Sequence, residues 1–139
     1  MGKLINGKWV IRSIITSDKL GAYDRLPRTF LETISKHHER FKPESKRYHL
    51  YVSYACPWAT RTLIYRHLKD LDSHISVSVV HPDMLDDGWK FDTSFPGATK
   101  DHLYGKKFLR EIYQKADPTI TTSVTVPILW DKKTETIVN

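Results

Sequence analysis

The chain has 139 residues, of which 40% are hydrophobic and 27% are charged, and its formal net charge is +6. This composition is typical of a soluble globular protein, and the length suits one modest core. Because the sequence has no apolar run that could span a bilayer, no signal peptide, no disulfide framework and no nucleic-acid-binding motif among its scattered basic residues, we expect a cytoplasmic protein without membrane or nucleic-acid partners.

The first 46 residues are expected to form an arm and a helix that precede the main domain. Trp9-Val10-Ile11 predicts a short strand or a packing arm. Beyond Pro27, four apolar residues follow helical spacing and predict a helix that Pro43 ends. These four residues are Phe30, Leu31, Ile34 and Phe41.

A strand, a Cys-Pro pair and a helix come next. The segment from Arg47 to Val52 is rich in aromatic and β-branched residues, which predicts a strand. Pro57 fits the first position of a helix, and helical spacing continues through five residues: Leu63, Ile64, His67, Leu68 and Leu71. Cys56 therefore lies at a helix N-terminus, where unpaired N–H groups and the helix dipole favour a thiolate. A lone cysteine is often only a small buried hydrophobic residue, but this succession of elements favours a reactive thiol.

A second strand and a long loop follow the helix. Ile75 to Val80 predicts a strand parallel to the first one, in a βαβ unit. His81 to Lys106 is polar and predicts a long loop, which is functional or disordered in a small domain. The aromatic residues within it, Trp89, Phe91 and Phe95, favour an ordered loop.

The last part of the chain adds a helix and further strands to the predicted α/β succession of elements. A helix is predicted from Leu103 or Phe108 to Ala116. Val124–Val126 and Ile128–Trp130 predict strand on either side of Pro127, where we expect an edge, a bulge or a cis bond. Thr136 to Val138 predicts the returning strand of a hairpin. Strand, helix, strand, long loop, helix, strand and strand is the order of a thioredoxin-like fold without its last helix.

The residue types limit the chemistry. Since the chain has no second cysteine, any disulfide at Cys56 must be resolved by an external thiol, and glutathione is the obvious choice. The seven histidines show no ligand spacing with Cys56 or with one another. The acidic residues Asp83, Asp86 and Asp87 lack the rest of a calcium-loop pattern. We therefore expect no metal.

Several motifs carry a resemblance to one family. They are Tyr51-Val52-Ser53-Tyr54-Ala55-Cys56-Pro57-Trp58-Ala59-Thr60-Arg61-Thr62, Ser76-Val77-Ser78-Val79-Val80, Gly88-Trp89-Lys90-Phe91, Ala116-Asp117-Pro118 and Val124-Thr125-Val126-Pro127-Ile128-Leu129-Trp130-Asp131. Together they resemble the glutathionyl-hydroquinone reductases, which are the Xi class of glutathione transferases and are related to the omega class. The resemblance covers roughly Tyr23 to the end of the chain.

This resemblance implies the domain organisation. Residues 47–139 would form a thioredoxin-like glutathione transferase N-terminal domain, a sheet with flanking helices, truncated before its last helix. Residues 1–46 would form the arm and the pre-core helix. The large helical domain that follows in the family is not part of these 139 residues. For the full-length family, the resemblance admits a homodimer.

The resemblance also implies roles for individual residues. Cys56 would be the catalytic nucleophile, with Tyr54, Pro57 and Trp58 next to the substrate. The implied glutathione-binding residues are Trp89, Ser123, Val126 and Pro127, with Trp89 against glutathione, the Val126 backbone paired with its cysteinyl part, and Pro127 cis. Ser123 stands where the family often has an arginine, and it cannot supply the same charge-assisted contact. A Glu-Ser pair that holds the γ-glutamyl end in the family would follow Asn139.

The activity implied is the reduction of glutathionyl-hydroquinones to hydroquinones, with glutathione as co-substrate and quinone-derived conjugates as partners. Cys56 would form a mixed disulfide that a second glutathione resolves. Two alternatives stay open at this point: a thiol transferase of the omega or glutaredoxin type, and a catalytically impaired fragment that keeps only the fold. The Gly-Trp and Phe-Pro-Gly motifs of the long loop favour the first activity.

Overall fold

The computed structural model describes residues 2–11, 16–17, 20–21, 23–24 and 28–139. Within them, the strands and helices follow in this order: β1 (Gly2–Ile5), β2 (Lys8–Ile11), β3 (Thr16–Ser17), β4 (Tyr23–Asp24), β5 (Tyr48–Val52), α1 (Pro57–Leu68), β6 (Ser76–Val79), α2 (Arg110–Ala116), β7 (Thr122–Ser123), β8 (Ile128–Asp131) and β9 (Thr136–Ile137). None of the helices in these ranges is long and apolar enough to pass through a membrane.

The main sheet has four strands in the order β6-β5-β8-β9. Strand β5 pairs in parallel with β6, with Leu50 opposite Val77, and antiparallel with β8, with Leu50 opposite Leu129. Strands β8 and β9 form an antiparallel hairpin. The predicted α/β class with thioredoxin-like order is confirmed, as are the strands β5 and β6 and the final hairpin. All five residues of β5 are buried, because both faces of this central strand are covered: Tyr51 belongs to one apolar cluster, and Leu50 and Val52 belong to another.

A second sheet connects the start of the chain to its last third. Strands β1 and β2 form a hairpin, which confirms a strand at Trp9–Ile11, and β1 also pairs with β7. The turn of the hairpin needs a glycine, because Gly7 has φ of 72° and a Cβ there would lie 1.8 Å from the carbonyl oxygen of Pro118. The boundary between residues 46 and 47 stays a prediction, although β1 pairs across it with β7.

The predicted helix after Pro27 is wrong for every residue of it that the structure describes, and Pro27 itself lies outside the described residues. Residues 28–43 contain bends and turns without a helix. Their backbone groups have other partners: the N–H of Glu32 donates to the distant Val138, whereas the N–H of Ser35 donates to Phe41 and the carbonyl of Arg40 accepts from the Arg47 side chain nearby in the chain. Phe41 is buried against the main sheet. One tertiary bond and several bonds within turns therefore stand in place of the i to i−4 bonds that the apolar spacing suggested.

Two further expectations needed correction. Helix α2 begins at Arg110 and has 7 residues, so of the two starts expected, one near Leu103 is wrong and one near Phe108 is two residues early, while the end at Ala116 is confirmed. The segment Val124–Val126 is not a strand; the ladder next to it is the two-residue β7, and β8 resumes at Ile128. The Val126–Pro127 bond is cis, as expected.

A buried histidine on β5 leads to a prediction about pH. The ring nitrogens of His49 lie 2.7 Å from Ser76 Oγ and 2.9 Å from Ser78 Oγ, and the residue is fully buried. Burial lowers the pKa of His49 to about 4; the carboxylate of Asp101 opposes this shift, and nearby His102 adds slightly to it.

Because the folded state holds His49 neutral, the unfolded state binds more protons between the unfolded pKa near 6.5 and the folded value of about 4. We expect the free energy of unfolding to be highest above this window and to fall within it as the pH drops, with a contribution from His49 that approaches about 1.4 kcal/mol per pH unit. In His49→Gln that contribution should disappear. Urea unfolding of both proteins from pH 4 to 7 tests this, and equal slopes would contradict it.

Candidate active site

Cys56 lies in the turn between the end of β5 and the start of α1. The backbone N–H of Cys56 donates to the carbonyl of Ser53 at 3.1 Å, and the N–H of Ala55 donates to Ser53 Oγ at 3.3 Å. On the helix side, the N–H and the hydroxyl of Thr60 both donate to the Cys56 carbonyl, at 3.0 and 3.2 Å. Cys56 is the N-cap residue of α1, in extended conformation, with Pro57 at the start of the helix. This confirms the predicted place of the thiol.

The N-terminus of α1 leaves donors available near this thiol. Cys56 makes no side-chain capping bond, and the first turn has no acidic residue. In the part of the chain that the structure describes, no acceptor is found for the backbone N–H groups of Trp58 and Ala59. Such unpaired N–H groups attract negative charge, so this helix end can stabilise a thiolate or hold an anionic group.

The second side of the site is the segment before Pro127. Cys56 Sγ lies 3.5 Å from the carbonyl oxygen of Val126, and Cys56 is half-buried. The buried Tyr113 of α2 holds this segment, because its hydroxyl donates to the Thr125 carbonyl at 3.1 Å and accepts from the Thr125 N–H at 3.3 Å. Burial raises the pKa of Tyr113, which keeps the hydroxyl protonated as a donor. Neither residue was among the predicted site residues: Tyr113 belongs to no recognisable motif, and Thr60 lies within the Cys-Pro motif without a role of its own being predicted.

Trp89 lies in the long loop and is 8% exposed. It belongs to the same apolar cluster as Val126, and Cys56 packs against that cluster. Its carbonyl accepts from the N–H of Leu109 at 2.9 Å. The loop is therefore held by the core, and it brings Trp89 into the apolar cluster that contains Val126 and against which Cys56 packs.

Of the other predicted site residues, Tyr54, Pro57 and Trp58 flank Cys56 in the chain, whereas Ser123 lies apart on β7. Tyr54 and Trp58, on either side of Cys56, are 57% and 59% exposed. The exposed Pro57 separates Cys56 from Trp58, and the guanidinium of Arg61 lies 4.7 Å from the Trp58 ring centroid. Ser123 lies on β7 and is half-buried, and none of its recorded contacts reaches Cys56. Its assignment to the site thus rests on the resemblance.

A small cavity of about 220 Å³ adjoins the Cys56 turn. Its lining combines that turn, the end of β6 and the long loop: Tyr54, Ala55, Val79, Val80, Pro82, Phe95 and Ala98. A Cβ at Gly97 would lie 3.0 Å from Tyr54 Cε2, so a glycine is needed for the loop to approach the tyrosine ring this closely. None of these seven lining residues is charged.

The described residues contain no candidate metal site. Within residues 2–11, 16–17, 20–21, 23–24 and 28–139, no three histidine, cysteine, aspartate or glutamate side chains are grouped so that they could hold a metal ion. The acidic residues of the long loop have basic side chains as neighbours: Asp87 faces Arg110, and Asp83 lies near His81.

The chain is similar in sequence and structure to one group of known proteins. Residues 55–139 match the family described as glutathione S-transferase, N-terminal domain. The protein named glutathionyl-hydroquinone reductase YqjG of Escherichia coli (strain K12) is 49% identical over 146 residues, an alignment that covers 100% of this chain and 44% of the relative.

Two solved structures are also similar. A Xi class glutathione transferase from Natrialba magadii matches with a TM-score of 0.87 and 46% identity, over 100% of this chain and 41% of that one. The glutathione-bound structure of YqjG from Escherichia coli K-12 matches with a TM-score of 0.80 and 46% identity, over 99% of this chain and 41% of that one. The chain thus spans less than half the length of the relatives that it matches.

Proposed function

This chain belongs to the glutathione S-transferase family through the N-terminal domain that residues 55–139 match, and on this basis we propose that it reduces glutathionyl-hydroquinones at Cys56 with glutathione as co-substrate. One observation carries the proposal: a half-buried thiol that forms no disulfide stands at the N-terminus of α1, 3.5 Å from the Val126 carbonyl. A relative named as a glutathionyl-hydroquinone reductase and a glutathione-bound neighbour support the choice of substrate and co-substrate.

In the first step, the Cys56 thiolate attacks the sulfur of the glutathionyl group. A disulfide bond forms between the two sulfur atoms as the bond from sulfur to the aromatic carbon breaks. The electron pair of the broken bond stays on the ring carbon, which takes up a proton. The hydroquinone leaves, and Cys56 holds glutathione as a mixed disulfide.

In the second step, an external thiolate has to release the enzyme, because the chain has no other cysteine. A second glutathione attacks the glutathionyl sulfur of the mixed disulfide, and Cys56 leaves as a thiolate. Oxidised glutathione is the product. Over both steps the aromatic carbon is reduced, and two glutathione sulfurs are oxidised to one disulfide.

The residues around Cys56 have separate tasks in this scheme. The unpaired N–H groups of Trp58 and Ala59 stabilise the thiolate that attacks in the first step and leaves in the second. No acceptor is found among the described residues for the N–H of Val126, so this backbone can pair with the cysteinyl part of glutathione. Trp89 lies against the tripeptide. Since Ser123 adds no charge, we expect glutathione affinity to be weak.

Intact-mass spectrometry of the chain after incubation with oxidised glutathione tests the nucleophile. We expect one added glutathionyl group, located at Cys56 by peptide mapping and removed by reduced glutathione. A chain that stays unmodified while a model thiol of similar exposure reacts would contradict a working nucleophile. It would also favour the reading of an impaired fragment.

The substrate class is tested by comparing activity on two substrates. A thiol transferase of the omega or glutaredoxin type would act best on a small mixed disulfide, whereas a hydroquinone reductase has to break a bond from sulfur to carbon. We expect the chain to release hydroquinone from a glutathionyl-hydroquinone faster than the uncatalysed reaction does. Reduction of the small disulfide with no such release would overturn the hydroquinone assignment and leave the thiol transferase.

A further inference from the structure

The β1–β2 hairpin contacts the loop that carries Trp89. Trp9 of β2 donates its indole N–H to the carbonyl of Asp86 at 3.1 Å, across 77 residues of sequence. Its ring also packs on Gly88, where an added Cβ would lie 2.9 Å from Trp9 Cη2. Gly88 has φ of 75°, a conformation that favours glycine. The residue before Trp89 therefore has its backbone held against the Trp9 ring.

Arg110 of α2 contacts both Trp9 and this loop. Its guanidinium carbon lies 5.0 Å from the Trp9 ring centroid and 3.8 Å from the Phe108 ring centroid. The same guanidinium donates to the carbonyl of Asp87. The carbonyls of Asp86 and Asp87 are thus bound by Trp9 and Arg110, and these two side chains stack on each other.

The turn of the hairpin is bound to the segment on the other side of the site. The N–H of Gly7 donates to the Ile120 carbonyl at 2.8 Å, and the N–H of Asn6 donates to Thr121 Oγ1 at 2.9 Å. Gln114 Nε2 of α2 donates to the Gly7 carbonyl at 2.7 Å. In addition, Lys3 of β1 pairs with Ser123 of β7. One hairpin therefore spans the Gly88-Trp89 turn and the strand that leads to Val126.

From this placement we propose that Trp9 is a positioning residue of the glutathione site: it holds the Gly88-Trp89 turn so that Trp89 can lie against the tripeptide. The inference rests on the proposed function for the role of Trp89, whereas the contacts of Trp9 do not depend on it. Trp9 itself does not touch the thiol. It acts through the loop, as a supporting residue acts on a residue that binds ligand directly.

The test uses the full 139-residue chain and three variants. Trp9→Ala removes both the ring and the indole donor. Trp9→Phe keeps an aromatic ring on Gly88 and Arg110 but cannot bind the Asp86 carbonyl. Ile11→Ala is the matched control, because Ile11 lies on the same strand and is 62% exposed. All measurements are made at a temperature at which each variant is folded by circular dichroism.

Two readouts separate positioning from general destabilisation. We expect calorimetry to show glutathione affinity weakened about tenfold in Trp9→Ala and about threefold in Trp9→Phe. The rate at which iodoacetamide alkylates Cys56 should stay the same in both variants, because the β5–α1 turn has its own hydrogen bonds. Ile11→Ala should match the unmodified chain in both measurements. An unchanged glutathione affinity in Trp9→Ala would overturn the inference.

Hydrogen exchange provides a readout without glutathione. The amides of His81, Phe91 and Leu109 donate to the carbonyls of Lys90, Lys107 and Trp89, so they report on the loop. In Trp9→Ala we expect them to exchange at least about tenfold faster, while the amides of β5 and β8 stay unchanged. Equal exchange at the loop and at the main sheet would overturn the positioning role. If the unmodified chain shows no glutathione binding, the proposed function fails, and hydrogen exchange still decides how Trp9 acts on the loop.

Discussion

Replacement of Cys56 with serine is expected to lower the rate of hydroquinone release at least about a thousandfold. A serine hydroxyl is protonated near neutral pH, and oxygen cannot form the mixed disulfide on which both steps depend. The thiol makes one weak contact with the Val126 carbonyl, so the substitution should change stability little. Single-turnover assays with a glutathionyl-hydroquinone, together with intact mass after exposure to oxidised glutathione, measure both effects.

Two further variants make this result specific. Cys56→Ala should be as inactive as Cys56→Ser, because neither forms a disulfide. Thr60→Ala removes a hydroxyl that donates to the Cys56 carbonyl while the N–H of the same residue keeps its bond. We expect it to keep its rate within about threefold. A serine variant that retains more than about a tenth of the rate would show that another group carries the reaction.

The largest effect on stability is expected at the buried ion pair between Arg47, directly before β5, and Asp131, the last residue of β8. Arg47 and Asp131 side chains are 5% and 0% exposed, and the guanidinium donates to both carboxylate oxygens, at 2.8 and 2.6 Å. The carboxylate also accepts from the N–H of Lys133 and the hydroxyl of Thr134. Arg47 in turn binds the carbonyl of Arg40. The pair thus joins the main sheet to the segment that was expected to be a helix.

Asp131→Asn leaves the shape of the site nearly unchanged but leaves the Arg47 charge buried without its partner. We expect the free energy of unfolding to fall by about 3–5 kcal/mol, as measured by urea denaturation. The double variant Arg47→Met/Asp131→Leu removes both charges and should recover much of this loss. A loss below about 1 kcal/mol in Asp131→Asn would show that water reaches the pair and screens it.

The same pair leads to an acid dependence with a defined sign. Burial alone raises the pKa of Asp131, but hydrogen bonds from Arg47, Thr134 and the Lys133 backbone outweigh it and lower the pKa to about 2. The carboxylate therefore contributes its full stability above the unfolded pKa near 4, and loses this contribution as the pH falls toward 2. In Asp131→Asn the free energy of unfolding should depend less on pH over this range.

The sequence by itself determined the elements whose signals are local. A β-rich run, Cys-Pro and a helical repeat lie next to one another in the chain, so short-range geometry alone placed Cys56 at the start of α1. The alternation in β6 and the turn before β9 were equally readable. Motif resemblance supplied the family and the cis bond at Pro127, which short-range patterns left open.

Only the tertiary structure decided where the remaining backbone bonds go. The apolar spacing after Pro27 matched a helix, yet the N–H of Glu32 donates to the carbonyl of Val138, and Phe41 packs with Tyr48 and Val138. Trp9 likewise donates its indole N–H to the carbonyl of Asp86, which lies 77 residues further along the chain, and no local sequence pattern predicts this bond. The physical reason is that a short segment gains little from its own helix, so bonds and packing offered by distant residues determine its conformation.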